Sequence, residues 1–251
     1  MTQPVSLLLK PLELFIKQPR TSRPDQISLG LLKPGSMMEI FGATGTLKTW
    51  VSMDLALSLT SGTRWLCWET FPSRVIVVNS EMSEEEYQLR WEQKLVLDKR
   101  VALPNWFHIH CGELKIDTYE GAAQLLHAIQ QTQTSVVIID NLYTSLSGSL
   151  TNNQDLLKLR INCLAILKAG CSLIVVHHMP QMQFHNGKQL DFGSYGGYGG
   201  SFLPNMLDTA FELRRNGELV TVIPQKNRLS PCGARAASFK FEGLQFELEM
   251  E

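Results

Sequence analysis

Lys48 and Thr49 close the stretch Gly42-Ala43-Thr44-Gly45-Thr46-Leu47-Lys48-Thr49, a glycine-bearing loop that ends in a cation and a hydroxyl. That order suits phosphate. Backbone N–H groups of the loop and the N-terminus of a following helix converge on the anion, while lysine reaches the β- and γ-phosphates and the threonine hydroxyl ligates magnesium. The stretch departs from G-x-x-x-x-G-K-[ST] at one position, where Leu47 replaces glycine. Leucine is accommodated there if the residue has helical φ and its side chain points back into the protein; Gly45 stays available for a positive-φ turn. Trp50 follows directly and is grouped with Gly42–Thr49 as the nucleotide-binding segment.

Three further candidates stand at the ends of apolar runs. Val136-Val137-Ile138-Ile139 leads into Asp140, a carboxylate placed to hold magnesium through water, although a turn aspartate after a core strand has the same appearance. Val75-Ile76-Val77-Val78-Asn79-Ser80 leads into Glu81. Hydrolysis needs a group that orients or activates water near the γ-phosphate, and Glu81 is the candidate for it. Glu84, Glu85 and Glu86 read instead as first-turn acids of a helix capped by Ser80 or Ser83. Leu173-Ile174-Val175-Val176 leads into His177-His178, one of which could hydrogen-bond the γ-phosphate. Zinc would want a third ligand, and none has sensible spacing. His108 and His110 alternate along a strand and read as structural or exposed.

These residues need a scaffold. From residue 36, strand runs near 36–41, 74–79, 106–110, 135–140 and 171–177 alternate with helical patterns near 48–60, 83–97, 118–131 and 152–168. Unbroken aliphatic runs are what strands buried on both faces look like, so the pattern predicts an α/β fold with a mostly parallel sheet flanked by helices. Toward the C-terminus, runs at 211–214, 219–224, 237–241 and 244–248, separated by Asn216-Gly217 and Glu242-Gly243, predict antiparallel edge strands. Residues 1–17 read as an arm that could dock on a neighbouring subunit. Residues 18–35, with Pro19, Pro24, Gly30, Pro34 and Gly35, read as a linker, and 36–251 as the main domain. The glycine-rich stretch 181–201 is long enough to be a functional loop.

A formal net charge of -1 argues against a broad basic face for duplex DNA, and 44% hydrophobic content is a globular value. No apolar run reaches the roughly 18 residues that cross a bilayer, which predicts no membrane partner. Five scattered cysteines without C-x-x-C spacing suggest reduced thiols and a cytoplasmic protein.

The P-loop together with Ser80-Glu81-Met82, Ile139-Asp140-Asn141 and His177-His178 resembles the RecA-like P-loop ATPases. Within them it is most similar to the RepA-type hexameric replicative helicases of plasmids and phages. The resemblance spans about residues 25–250, includes Gly30-Leu31-Leu32-Lys33-Pro34-Gly35-Ser36 ahead of the P-loop, and tolerates a bulky residue at Leu47. It implies a RecA-like core, ATP and Mg2+ as ligands, and a homo-hexameric ring with ATP between neighbours. Glu81 would be the catalytic carboxylate, Thr49 and Asp140 the metal residues, and His177 or His178 the γ-phosphate sensor. Ile223-Pro224-Gln225-Lys226-Asn227-Arg228 is similar to the Lys-x-Arg of subunit boundaries, which makes Lys226 and Arg228 finger candidates; no arginine stands in or just after the glycine-rich loop. Loops 143–153 and 179–201, with Lys188, Tyr195 and Tyr198, would grip single-stranded DNA. The implied activity is an ATP-dependent helicase or translocase. The alternative is a RecA-like ATPase that drives assembly or a protein partner without unwinding, and a third possibility is a degenerate nucleotide-binding module.

Overall fold

A computed structural model describes residues 9–19, 24–150, 152–178, 184–185, 188–189, 205–230, 234–242 and 244–248. A short helix α1 (Leu12–Ile16) precedes β1 (Met37–Gly42), α2 (Lys48–Ser61), β2 (Val75–Asn79), α3 (Glu84–Leu97) and β3 (Phe107–Cys111). Then come α4 (Tyr119–Thr132), β4 (Val136–Asp140), α5 (Asn153–Lys168) and β5 (Ser172–His178), followed by a two-residue ribbon, β6 (Phe184–His185) with β7 (Lys188–Gln189). The chain finishes with β8 (Thr209–Asn216), β9 (Leu219–Asn227), β10 (Ala237–Glu242) and β11 (Gln245–Leu248).

Nine strands form one sheet in the order β11-β10-β9-β8-β1-β5-β4-β2-β3. From β8 to β3 all neighbours are parallel, and β9, β10 and β11 add antiparallel. The expected α/β architecture with antiparallel strands at its end is the observed one. Two-residue alternation splits the central strands between two cores. Met38, Ile40 and Ile138 face α2 and α3, while Met37, Phe41, Val137 and Ile139 face α4 and α5. With helices on both faces, the aliphatic runs have no wet side.

α2 is buried from Val51 to Thr60, so this helix is embedded rather than half-exposed. α3 is anchored to it by charge. Lys94, fully buried, donates to Asp54 Oδ1 on α2 at 3.1 Å and lies 3.5 Å from Asp98. Arg100 pairs with the same two carboxylates. Ser83 caps α3 by accepting from the Glu86 N–H, with Glu84–Glu86 in the first turn.

Part of the expected linker belongs to the body. Ile27 bridges to both Leu32 and Thr70, and Ile27, Leu31 and Leu32 are fully buried in the α2-side core. Prolines and glycines here shape a turn whose apolar side chains pack, so residues 24–35 are not a free connector. By contrast, α1 buries none of its residues, and Leu12, Leu14, Phe15 and Ile16 are exposed. The β8–β9 turn also differs by one residue from the expected Asn216-Gly217. Asn216 pairs with Leu219, which leaves Gly217-Glu218 as the turn, with Gly217 at φ +63°. Among the described residues, no helix is long and apolar enough to cross a membrane.

Candidate active site

β1, β4, β2 and β5 end at the same edge of the sheet, because they are parallel and in register from Gly42↔His178 to Asn79↔Asp140. Their carboxyl ends therefore bring the four candidate segments together, where ligands of open α/β sheets sit.

The loop between β1 and α2 is tight. A Cβ on Gly42 would lie 2.6 Å from Leu213 O and 2.9 Å from Thr46 Oγ1, so only glycine lets β8 approach here. Gly45 takes φ +82°. Leu47 takes φ +65° and ψ +25°, left-handed, as the residue before α2. This corrects the expectation of a helical φ with an inward side chain: Leu47 is half-buried and lines the cavity itself. The position still asks for the backbone that glycine adopts freely, and a left-handed L-residue costs roughly 1–2 kcal/mol. Thr46 Oγ1 donates to Ala43 O at 2.9 Å, and Lys48 Nζ donates to Gly42 O and Ala43 O at 2.9 and 2.8 Å. The lysine thus caps the carbonyls of its own loop, with its ammonium at the loop's mouth.

A cavity of about 250 Å3 opens at this loop. Its floor is Thr44, Gly45, Leu47, Lys48 and Thr49; its walls are Trp50, Glu81, Asp140 and His178. Ser52 Oγ donates to Asp140 Oδ2 at 2.9 Å. Burial is the main cause that pushes the Asp140 carboxyl up to about 6, with the nearby Glu81 charge adding and the Ser52 bond opposing. Burial likewise lowers Lys48 to about 8, against the attraction of Asp140 and Glu81. His178 Nε2 lies 3.6 Å from Glu81 Oε2, and its imidazole is held below the usual range, first by burial and then by Lys48. Three shifted groups, Lys48, Asp140 and His178, together in one cavity make it the candidate functional site.

The donors suit magnesium. Asp140 and Thr49 offer hard oxygens, and a buried carboxylate with a raised pKa is one short of positive charge. Among the described residues, no group of three or more His, Cys, Asp or Glu side chains could hold a metal. A site with so few protein ligands fits magnesium that keeps waters and shares phosphate oxygens.

Other candidates stand elsewhere. His177, fully buried, points away from this cavity and pairs through Nδ1 with Glu39 Oε1 at 3.1 Å. Lys226 pairs with Ala210, and Arg228 N–H donates to Asp208 O, level with the start of β1. Along the strand direction, at about 3.3 Å per residue, Arg228 lies roughly 16 Å and Lys226 roughly 10 Å back from Gly42, toward the opposite edge of the sheet. Tyr195, Tyr198 and most of loop 179–201 lie outside the described residues. One wall residue was missed in the sequence. Arg90 on α3 lines the cavity, with its guanidinium carbon 5.9 Å from the Trp50 ring centre. Trp50 also meets Phe241 of β10 at 5.9 Å, so the far hairpin backs the cavity. The signal for Arg90 was its place between Tyr87, Trp91 and Lys94, the buried stripe of α3.

Residues 3–183 match the AAA domain family, which covers well over half of the chain. The chain belongs to the AAA domain family. Its fold is similar to that of a KaiC-like protein from the hyperthermophilic archaeon Pyrococcus horikoshii OT3. That likeness has a TM-score of 0.61 at 15% identity and covers 90% of this chain and 94% of the other. Among curated proteins, none matches the sequence significantly. Family and fold together make this a P-loop ATPase domain with a RecA-like core.

Proposed function

We propose that this AAA-domain chain hydrolyses ATP and uses the cycle to move along single-stranded DNA, as a helicase or translocase of RepA type in plasmid, phage or mobile-element replication. The observation that carries the ATPase reading is one cavity shared by Lys48, Asp140, Glu81 and His178. Lys48 neutralises the β- and γ-phosphates. Thr49 and Asp140 would hold magnesium, which when bound would supply electrostatic stabilisation of the phosphates. Glu81 orients the attacking water and accepts its proton, while His178 contacts the γ-phosphate. Trp50 and Arg90 flank the nucleotide beyond the phosphates.

The remote position of Lys226 and Arg228 supports a ring. They are too far to serve their own nucleotide, but a head-to-tail neighbour would bring them to the next subunit's cavity. The apolar residues of α1 would dock on that neighbour, and loops 143–153 and 179–201 would face DNA.

A strand-displacement assay tests the reading. Wild-type protein with ATP and magnesium should separate a tailed duplex, Lys48→Ala should not, and Glu81→Gln should bind ATP without turnover. Hydrolysis that ignores single-stranded DNA, with no displacement, sinks the helicase reading and leaves an ATPase that acts on a protein partner.

A further inference from the structure

Asn141 follows the strand-end aspartate and is 2% exposed, and none of the phosphate chemistry above uses it. Its amide is committed at both ends. Nδ2 donates to Glu81 Oε2 at 2.6 Å, and Oδ1 accepts from the Thr144 N–H at 3.0 Å. The turn that carries Thr144 is itself fastened. Lys115 Nζ donates to Thr144 O at 2.9 Å, the Ile116 N–H to Ser145 O at 2.9 Å, and Ser145 Oγ to Ser80 Oγ at 3.2 Å.

Glu81 needs such a hold. Its side chain is 42% exposed and stands between two concavities, the Lys48 cavity and a cleft of about 580 Å3 lined by Lys115, Tyr143, Thr144 and Ser147. A glutamate with three free torsions in that position would sample both. Asn141 and His178 both approach Oε2, and His178 lines the Lys48 cavity with Glu81. A base oriented by a third group is the general arrangement of activated sites.

We propose that Asn141 is a positioning residue that fixes the Glu81 carboxylate toward the Lys48 cavity, with the Tyr143–Ser147 turn as its anchor. This rests on the ATPase reading above. A purely structural asparagine would need only its oxygen, to hold the Thr144 N–H in the turn, and aspartate would serve equally well. Only the role toward Glu81 requires the N–H donor.

Asn141→Asp therefore separates the two roles, because it keeps the turn acceptor and replaces the donor with a second negative charge beside Glu81. Asn141→Ser, which can accept from Thr144 but is too short to reach Glu81, is the second variant. For both, kcat should fall about 100-fold, the scale of a misplaced catalytic group. For Asn141→Ser the melting temperature and the affinity for magnesium–ATP should stay at wild-type values; Asn141→Asp, which buries a carboxylate against Glu81, should also lose stability. Wild-type kcat in both variants overturns the proposal while the ATPase reading stands. In Asn141→Ser, loss of kcat matched by loss of nucleotide affinity or of folding also overturns it, since that is what a structural residue would give. Wild-type protein that binds magnesium–ATP without hydrolysing it overturns the ATPase reading and this inference together.

Discussion

Two charges in the cavity are held in opposition by burial, and their protonation sets where the site can work. Asp140 must be ionised to hold magnesium, so affinity for magnesium–nucleotide should fall as pH drops through about 6. Lys48 must be protonated to hold phosphate, so affinity should fall as pH rises through about 8, with bound phosphate moving that limb higher. A fluorescence titration of nucleotide from pH 5 to 9 should show a maximum between the limbs; a flat profile contradicts the assignment. Stability runs the other way. Because the folded-state pKa of Asp140 is raised, its contribution is fully present below the unfolded value near 3.8 and is lost as pH rises through about 6. At pH 7 Asp140→Asn should stabilise the ligand-free protein, by at most about 3 kcal/mol, while abolishing metal-dependent turnover. Leu47 gives a second residue-scale test. With φ at +65°, Leu47→Gly should bind nucleotide at least as tightly as wild type with stability changed by less than about 1 kcal/mol. Leu47→Val, β-branched in the same conformation, should bind more weakly. Equal affinities across the series would refute a backbone origin. What was legible at this scale was residue type and spacing. The left-handed φ of Leu47 was not, since leucine rarely adopts it; nor was the close approach of Leu213 to Gly42, a contact between positions far apart in sequence.

At the scale of elements, the helix that starts at the phosphate loop is tied to the helix that follows Glu81. Lys94, Asp54, Asp98 and Arg100 form that tie, out of water. Lys94→Met should cost about 3 kcal/mol in urea denaturation, because Asp54 and Asp98 keep Arg100 but lose their buried partner. A loss below about 1 kcal/mol would mean that water already reaches the cluster. The aliphatic strands and the helices were readable because both follow from local periodicity, with Ser83 as the cap of α3; the caps at Thr118 and Asn152 come from the structure. The stretch 24–35 was misread because proline and glycine mark a turn without saying whether its side chains pack; Ile27 and Leu31 decide that through distant partners. The β8–β9 turn slipped by one residue for a related reason: the cross-strand register, not the dipeptide, chooses which two residues turn.

At the scale of the molecule, α1 presents Leu12, Leu14, Phe15 and Ile16 with no cover from its own body, and Lys226 and Arg228 stand across the sheet from Lys48. Both ask for a neighbour. Sedimentation with magnesium–ATP should show a closed ring, and removal of residues 1–17 should shift it toward smaller species. A truncated chain that assembles as well as the full chain would refute the docking role of the arm. Net charge and composition limited the class of partner but could not place Lys226 and Arg228, since their position depends on where the sheet's edges lie.

The strand order carries a consequence for how the protein is made. β1 lies between β5 and β8, yet those strands leave the ribosome more than a hundred residues after it. At roughly 5–20 residues per second, the nascent chain carries its phosphate-loop sequence for several seconds before either flank exists. Chains that stop between residues 178 and 213 would hold the whole signature from Gly42 to His178 and still lack Leu213, the neighbour that closes against Gly42. Such fragments should bind nucleotide more weakly than the full chain, since the phosphate loop then lacks the strand that packs against it.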